Sequence, residues 1–257
     1  MNIHQETAAY LNTLWTTNEI CSDLPSHLKP TTLEEGYRAQ EAFIHLSQSP
    51  CTGWKLGVAS ENQLTQAQLN RPLVGRILSN RCFEKNKHVV VPESGVITIE
   101  GEIGLILKHD ILPNRVEPIS WMDVSHICLT FEIVRSRFIN RRAVGWPSFV
   151  ADNVGFEALI TSDPLPMIPC DTILDELLHK SYIELDGQAI AYPLQDKDGI
   201  NPLTSLTHLA NHARQENITL YAGELVSTGA FYKPFDLPHR NHGISAIYPW
   251  NTFGFSV

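Results

Sequence analysis

The sequence predicts an α+β fold that is mainly β, with helices at the N-terminus and others packed on the sheet. Three observations carry this. Between Thr52 and Tyr248 several runs alternate apolar with polar or small residues, the period of a strand. Apolar residues at helical spacing concentrate in 1–50 and 202–216. Strands and helices do not alternate regularly, which argues against a doubly wound sheet. With 43% hydrophobic and 18% charged residues, 257 residues suffice for a full core. We divide the chain into a helical segment, 1–50, packed on a β-rich unit, 51–257, that holds the candidate site.

The elements follow in order. Ile3 to Trp15 places Ala8, Leu11 and Trp15 on one helical face. A second helix starts at Thr31 or Thr32, with Glu34 or Glu35 closing a capping box, and stops at Ser49-Pro50. Strands are expected near 53–59, 88–91, 97–107, 127–134, 182–191, 224–231 and 244–249. Asp186-Gly187 marks a hairpin, because both residues tolerate the positive φ of a tight turn. Ser120–Val124 reads as a short helix. Asp163–Pro169 carries three prolines and reads as a surface connection. A helix over 202–216 is capped by Asn201, with Pro202 at its first position.

The run Ile97–Leu107 carries the candidate chemistry. Residues two apart on a strand share a face. Ile97, Ile99, Ile103, Leu105 and Leu107 therefore point one way, and Glu100 and Glu102 the other. Two adjacent carboxylates repel and resist desolvation unless a cation or a shared proton offsets the cost. In the strand Ile127–Val134, Glu132 shares its face with Cys128 and Thr130. If the two strands are neighbours, three carboxylates converge, and oxygen-only ligands suit Mg²⁺, Mn²⁺ or Ca²⁺. The competing reading is solvated acids on an exposed face. Lys55, in Gly53-Trp-Lys-Leu-Gly57, either meets an anion and transfers protons or is an ordinary surface lysine.

These segments resemble the fumarylacetoacetate hydrolase superfamily, and within it the 2-keto-4-pentenoate hydratase / 4-oxalocrotonate decarboxylase branch. The matching pieces run in family order over most of the chain. They begin with Gly53–Gly57, Pro72-Leu-Val-Gly75, Ile99-Glu-Gly-Glu102 and Phe131–Arg137. Val150-Ala-Asp-Asn153, Leu185-Asp-Gly187, Asn201-Pro-Leu203 and Ala222–Gly229 complete the set. The resemblance implies a mixed β-sandwich roll and self-association into a homo-oligomer. It implies Mg²⁺ or Mn²⁺ on Glu100, Glu102 and Glu132, chelated by a small-molecule 2-oxo acid. It also implies hydratase chemistry on an unsaturated 2-oxo or 2-hydroxydienoic acid through an enolate. Decarboxylation of a 2-oxo acid, or a retained fold with a structural role, is the alternative.

The resemblance implies further roles. Lys55 is the proton-transfer group, since no lysine follows Glu132 by about twenty residues as in the family's C–C hydrolases. Asp152 and Asn153 either line the pocket or orient Lys55, with Asp152 as a supporting group or base, or else they cap a loop. Thr228 and Gly229 contact the substrate carboxylate. Two departures stand out: Leu28-Lys29 replaces a His-Pro, with His27 adjacent, and Leu73 replaces an acid. Arg137 either meets a carboxylate or is exposed.

Several classes are disfavoured. A net charge of −9 argues against nucleic acid as a partner. No apolar run spans a membrane. Five scattered cysteines without a Cys-x-x-Cys suggest a reduced, cytoplasmic protein. His208 and His212 have metal-pair spacing on a helix but lack a glutamate partner, so they read as structural or surface residues. His239 and His242 lie in a polar loop that either closes over the site, binds a partner or is simply exposed, exposure being the expectation.

Overall fold

A computed structural model describes residues 2–166, 168–238 and 240–257. Met167, in the proline-rich connection, and His239, in the polar loop, lie outside the described residues. In chain order the elements are α1 (Ile3–Thr17), α2 (Leu33–Ser47), β1 (Cys51–Gly57), α3 (Glu61–Ala67), β2 (Leu73–Leu78) and β3 (Cys82–Glu84). Then come β4 (Thr98–Leu107), β5 (Val124–Val134), α4 (Trp146–Ala151), β6 (Phe156–Thr161), α5 (Asp171–Lys180), β7 (Tyr182–Leu185) and β8 (Gln188–Ala191). The chain closes with α6 (Pro202–Glu216), β9 (Leu225–Ala230), β10 (Phe235–Asp236), β11 (Gly243–Tyr248) and β12 (Asn251–Ser256).

The expected α+β fold is present as two sheets. The larger runs β2-β1-β9-β4-β5-β6-β3, with β10 also paired to β4. It is mixed, since β1 lies parallel to β9 and β3 parallel to β6, while β4 and β5 are antiparallel. The smaller sheet is β12-β11-β7-β8. Between the sheets sits the main core. Ile99, Ile103 and Leu105 of β4 and Ile127, Leu129 and Phe131 of β5 point into it. Phe131 stacks on Phe253 of β12 at a ring distance of 5.1 Å. Gly101 sets how closely the sheets approach. A Cβ there would lie 2.5 Å from Ile183 Cδ1 and 2.8 Å from Tyr232 Cδ2.

The opposite face of the large sheet is partly covered by the N-terminal helices. Thr32 caps α2 and Glu35 closes its box; Asn2 and Gln5 do the same for α1. Leu11, Ala39 and Phe43 pack with Ile77, Phe156 and Leu159 in a second core. The Asp186-Gly187 turn (φ 50° and 78°) joins β7 to β8 as expected. Asn201 caps α6 through the N–H groups of Leu203 and Thr204.

Some expectations need correction. The 88–91 stretch makes only a bridge, His88 to Ser256, and is not a strand. Elements absent from the sequence reading are β2, β3, β6, β10, β12, α3, α4 and α5. No helix among the described residues is long and apolar enough to cross a membrane.

Candidate active site

The register of β4 and β5 builds the site. Glu100 stands directly opposite Glu132, and Glu102 opposite Thr130. One oxygen from each of Glu100, Glu102 and Glu132 lies within 4.8 Å of the others. Glu102 and Glu132 are fully buried, and Glu100 is half-buried.

Glu102 is held from β9. Its Oε2 accepts from Ser227 Oγ at 2.6 Å and from the Gly229 N–H at 2.9 Å. Ser227 Oγ in turn lies 2.8 Å from Thr130 Oγ1. Ser227 and Thr130 are site residues that the sequence reading did not assign. Thr130 was nonetheless visible on the Glu132 face of β5. Thr228 and Gly229, expected to meet the substrate, are instead bonded within the protein. The Thr228 hydroxyl donates to the Ile103 carbonyl at 2.8 Å, and the Gly229 N–H is directed to Glu102.

Lys55 is buried on β1. Its ammonium lies 2.9 Å from Glu132 Oε1 as an ion pair and donates to the Val154 carbonyl at 3.1 Å. Gly75, opposite on β2, leaves room for the lysine stem; a Cβ there would sit 2.7 Å from Lys55 Cδ. The turn that presents the Val154 carbonyl is left-handed at Asn153, Val154 and Gly155 (φ 50°, 54° and 73°). Asn153 clamps it to β2, accepting from the Arg76 N–H at 2.8 Å and donating to the Arg76 carbonyl at 2.9 Å.

Asp152 points elsewhere. Its carboxylate pairs with Arg137 and accepts from Ser136 Oγ at 2.7 Å and the Arg137 N–H at 3.0 Å. Arg137 is buried rather than exposed, and also faces Glu157 at 3.6 Å. Asn153, not Asp152, therefore positions the acceptor of Lys55.

Lys55 and Glu100 form the polar floor of a cavity of about 350 Å³. Val58, Trp146, Phe149 and Val154 make an apolar wall, while Gln63, Gln66, Arg141 and Arg142 line the rest of the rim. Leu73 is buried against Phe149, Val150 and Val154 and adds no polar group. His27 is exposed and does not line the cavity. His212 is buried, with Nδ1 3.1 Å from Arg71, and takes no part in the site.

Neither a protein-family model nor a curated protein matches the sequence. Solved structures do match. 4-Oxalocrotonate decarboxylase from Pseudomonas putida G7, complexed with magnesium and adipate, superposes with a TM-score of 0.83. It is 18% identical, over 98% of this chain and 96% of that one. This chain has the fumarylacetoacetate hydrolase fold. More distant structures share it at a TM-score of 0.56. Fumarylpyruvate hydrolase from Pseudomonas aeruginosa, in complex with Mn²⁺ and pyruvate, is 10% identical over 81% of this chain and 90% of that one. A fumarylacetoacetate hydrolase family protein from Yersinia pestis CO92 is 13% identical over 82% and 94%.

Within this fumarylacetoacetate hydrolase fold the three acids are electrostatically frustrated. Burial, then the charges of Glu132 and Glu100, hold the Glu102 carboxyl well above the usual carboxylate range. Burial lifts Glu132 to about 7, although the Lys55 charge opposes the rise. Glu102 Oε1 and Glu132 Oε2 have no hydrogen-bond partner among the described residues, and Glu132 Oε1 has only its ion pair with Lys55. A buried charge without partners is costly. A hard divalent cation would satisfy these oxygens, so the donor set fits Mg²⁺, Mn²⁺ or Ca²⁺.

Proposed function

We propose that the protein is a divalent-metal-dependent lyase acting on an unsaturated 2-oxo acid. The observation that carries this is the clustering of three carboxylates, two of them with unpartnered buried oxygens, beside a buried lysine, with Glu100 and Lys55 opening onto one cavity. Glu100, Glu102 and Glu132 would hold Mg²⁺ or Mn²⁺. A bound divalent cation supplies Lewis-acid stabilisation of negative charge on a C2 oxygen.

The chain's own groups supply the rest. Ser227 and the Gly229 N–H fix the Glu102 carboxylate, so it meets its ligand without reorganising. Lys55 Nζ holds a proton beside the floor of the cavity and is the group that delivers it to, or takes it from, a substrate carbon. Trp146, Phe149 and Val154 exclude water from one side of the bound chain.

Two reactions suit this site. Hydration, expected from the position of Lys55, requires an activated water as well as a proton for carbon. Decarboxylation requires only that one proton be returned to carbon after CO₂ leaves. Apart from the proposed metal ligands, Lys55 is the one proton-transfer side chain among the described residues lining the cavity, and Leu73 adds none. That inventory favours decarboxylation, with hydration as the second reading.

The test is an assay with Mg²⁺ and an unsaturated 2-oxo diacid. CO₂ release is the expected product, and a hydroxylated product retaining all carbons indicates hydration. Glu102→Ala should abolish either. Turnover by Glu102→Ala within a factor of ten of wild type would sink the metal-site assignment.

A further inference from the structure

Just past the end of β5, Arg137 is fully buried, and its guanidinium grips the left-handed turn Asn153–Gly155 from both ends. Nη2 donates to the Asp152 carbonyl before the turn at 2.6 Å, and Nη1 to the Phe156 carbonyl after it at 3.0 Å. Nε donates to Asp152 Oδ1. The Asp152 carboxylate also accepts from the Arg137 N–H at 3.0 Å and from Ser136 Oγ at 2.7 Å, which fixes the plane of the fork. The Trp15 ring covers that plane at 4.4 Å. Asn153 holds the turn on its β2 side, and Arg137 holds it on the side of the N-terminal helices.

The turn reaches the site through one atom. The Val154 carbonyl accepts from Lys55 Nζ at 3.1 Å, and Glu132 Oε1 lies 2.9 Å from the same nitrogen. An ammonium has three donors. With two engaged, one is left for the cavity that Lys55 lines. If the Val154 carbonyl withdraws, Nζ is tied to Glu132 alone and its aim is lost. Val154 sits at φ 54°, which a β-branched residue keeps only where its surroundings impose it. Glu132 and Arg137 lie on one stretch of chain, so both contacts of Lys55 trace to the segment 132–137.

We infer that Arg137 is a positioning residue for Lys55. By bridging the carbonyls that flank the turn, it holds the Val154 carbonyl in place and sets the direction in which Lys55 exchanges protons with substrate. A lysine at 137 keeps the charge but lacks the fork, so it cannot span Asp152 and Phe156 together. The inference rests on the reading of Lys55 as the proton-transfer group and holds for either reaction. Arg135 provides an internal comparison. It is buried in the same network, but its side chain donates to Ser94, Asn18 and Glu157. Among the described residues, no hydrogen bond of that side chain reaches the turn.

The test follows deuterium uptake at C3 of 2-oxobutyrate in D₂O with Mg²⁺, read by NMR. The C3 proton passes to the Lys55 amine, and a solvent-derived deuteron returns from it to C3. Wild type should exchange and Lys55→Met should not. Arg137→Lys should slow exchange by about tenfold to a hundredfold, the cost of misplacing a reacting group. The 2-oxobutyrate concentration giving half the maximal rate should stay within about twofold, since ligand binding is untouched. Arg135→Lys, at a comparable loss of Tm, should exchange within about threefold of wild type. Ser136→Ala, a small change that loosens the Asp152 carboxylate, should slow exchange about threefold to tenfold and decides the matter if Arg137→Lys does not fold. Wild-type exchange in Arg137→Lys, or in Ser136→Ala where Arg137→Lys does not fold, overturns the inference. Equal slowing in Arg137→Lys and Arg135→Lys also overturns it, because the effect is then purely structural. Exchange that is absent from wild type, or that persists in Lys55→Met, overturns the Lys55 reading and this inference with it.

Discussion

Glu132 shows how one residue couples stability to metal binding. Its folded-state value of about 7 lies above the ordinary 4.5 because burial disfavours the charge. The folded, metal-free protein therefore keeps a proton that the unfolded chain releases. Its stabilising contribution is full below about pH 4.5 and is lost as pH rises through about 7. The Tm of metal-free wild type, relative to Glu132→Gln, should fall across that window. Saturating Mn²⁺ should reverse the fall, because a cation takes the proton's place. A Tm difference flat from pH 4.5 to 7.5 contradicts this. The acids themselves were legible in the sequence, since an acid on a strand with an otherwise apolar face needs a partner. Ser227 and Thr130 were not, because small hydroxyl side chains are common on strands whether or not they hold a carboxylate.

At the scale of elements, the left-handed turn Asn153–Gly155 is the least ordinary feature. Val154 and Val58 both hold positive φ, at 54° and 56°, and both line the cavity. A β-branched residue in that region costs roughly 1–3 kcal/mol and persists only where its surroundings impose it. Asn153 does the imposing through two bonds to Arg76. Asn153→Ala should lower stability by about 1–3 kcal/mol. It should also reduce kcat more than it raises KM, since the Lys55 acceptor loses its support while the ligand set stays. An unchanged kcat would make the clamp purely structural. The strands β4 and β5 were legible because, along most of each, apolar residues alternate with acids, hydroxyls or small residues in the sequence itself. By contrast, α3 buries no residue and so leaves no apolar stripe to read. β6 is buried along almost its whole length, which erases the alternation. In α4 the proline near its start resembles a helix stop, although at the first turn its missing N–H costs nothing.

Over the whole molecule, two cores share one large sheet. One lies between the sheets, where Phe131, Phe253 and Phe255 meet; the other lies under α1 and α2. The N-terminal helices are therefore structural partners of the sheet that carries the site. Arg137 illustrates the dependence, because its guanidinium lies 4.4 Å from the centre of the Trp15 ring while pairing with Asp152. A chain beginning at Cys51 exposes Ile77, Phe156 and Leu159, and should lose cooperative unfolding by circular dichroism. Retention of a sharp transition at the full-length Tm would show that the helices are a detachable appendage. The sandwich with N-terminal helices was legible because family-like motifs stand in order along most of the chain. The split into two cores was not, since that depends on which face of the sheet each helix covers.

The most direct test of the central claim is a crystal structure of the protein soaked with Mn²⁺ and oxalate, using anomalous scattering to locate the metal. The account predicts one manganese bound by Glu100, Glu102 and Glu132, with oxalate completing its coordination from the cavity side. Manganese bound elsewhere, or three acids left without metal while oxalate binds away from them, would contradict it.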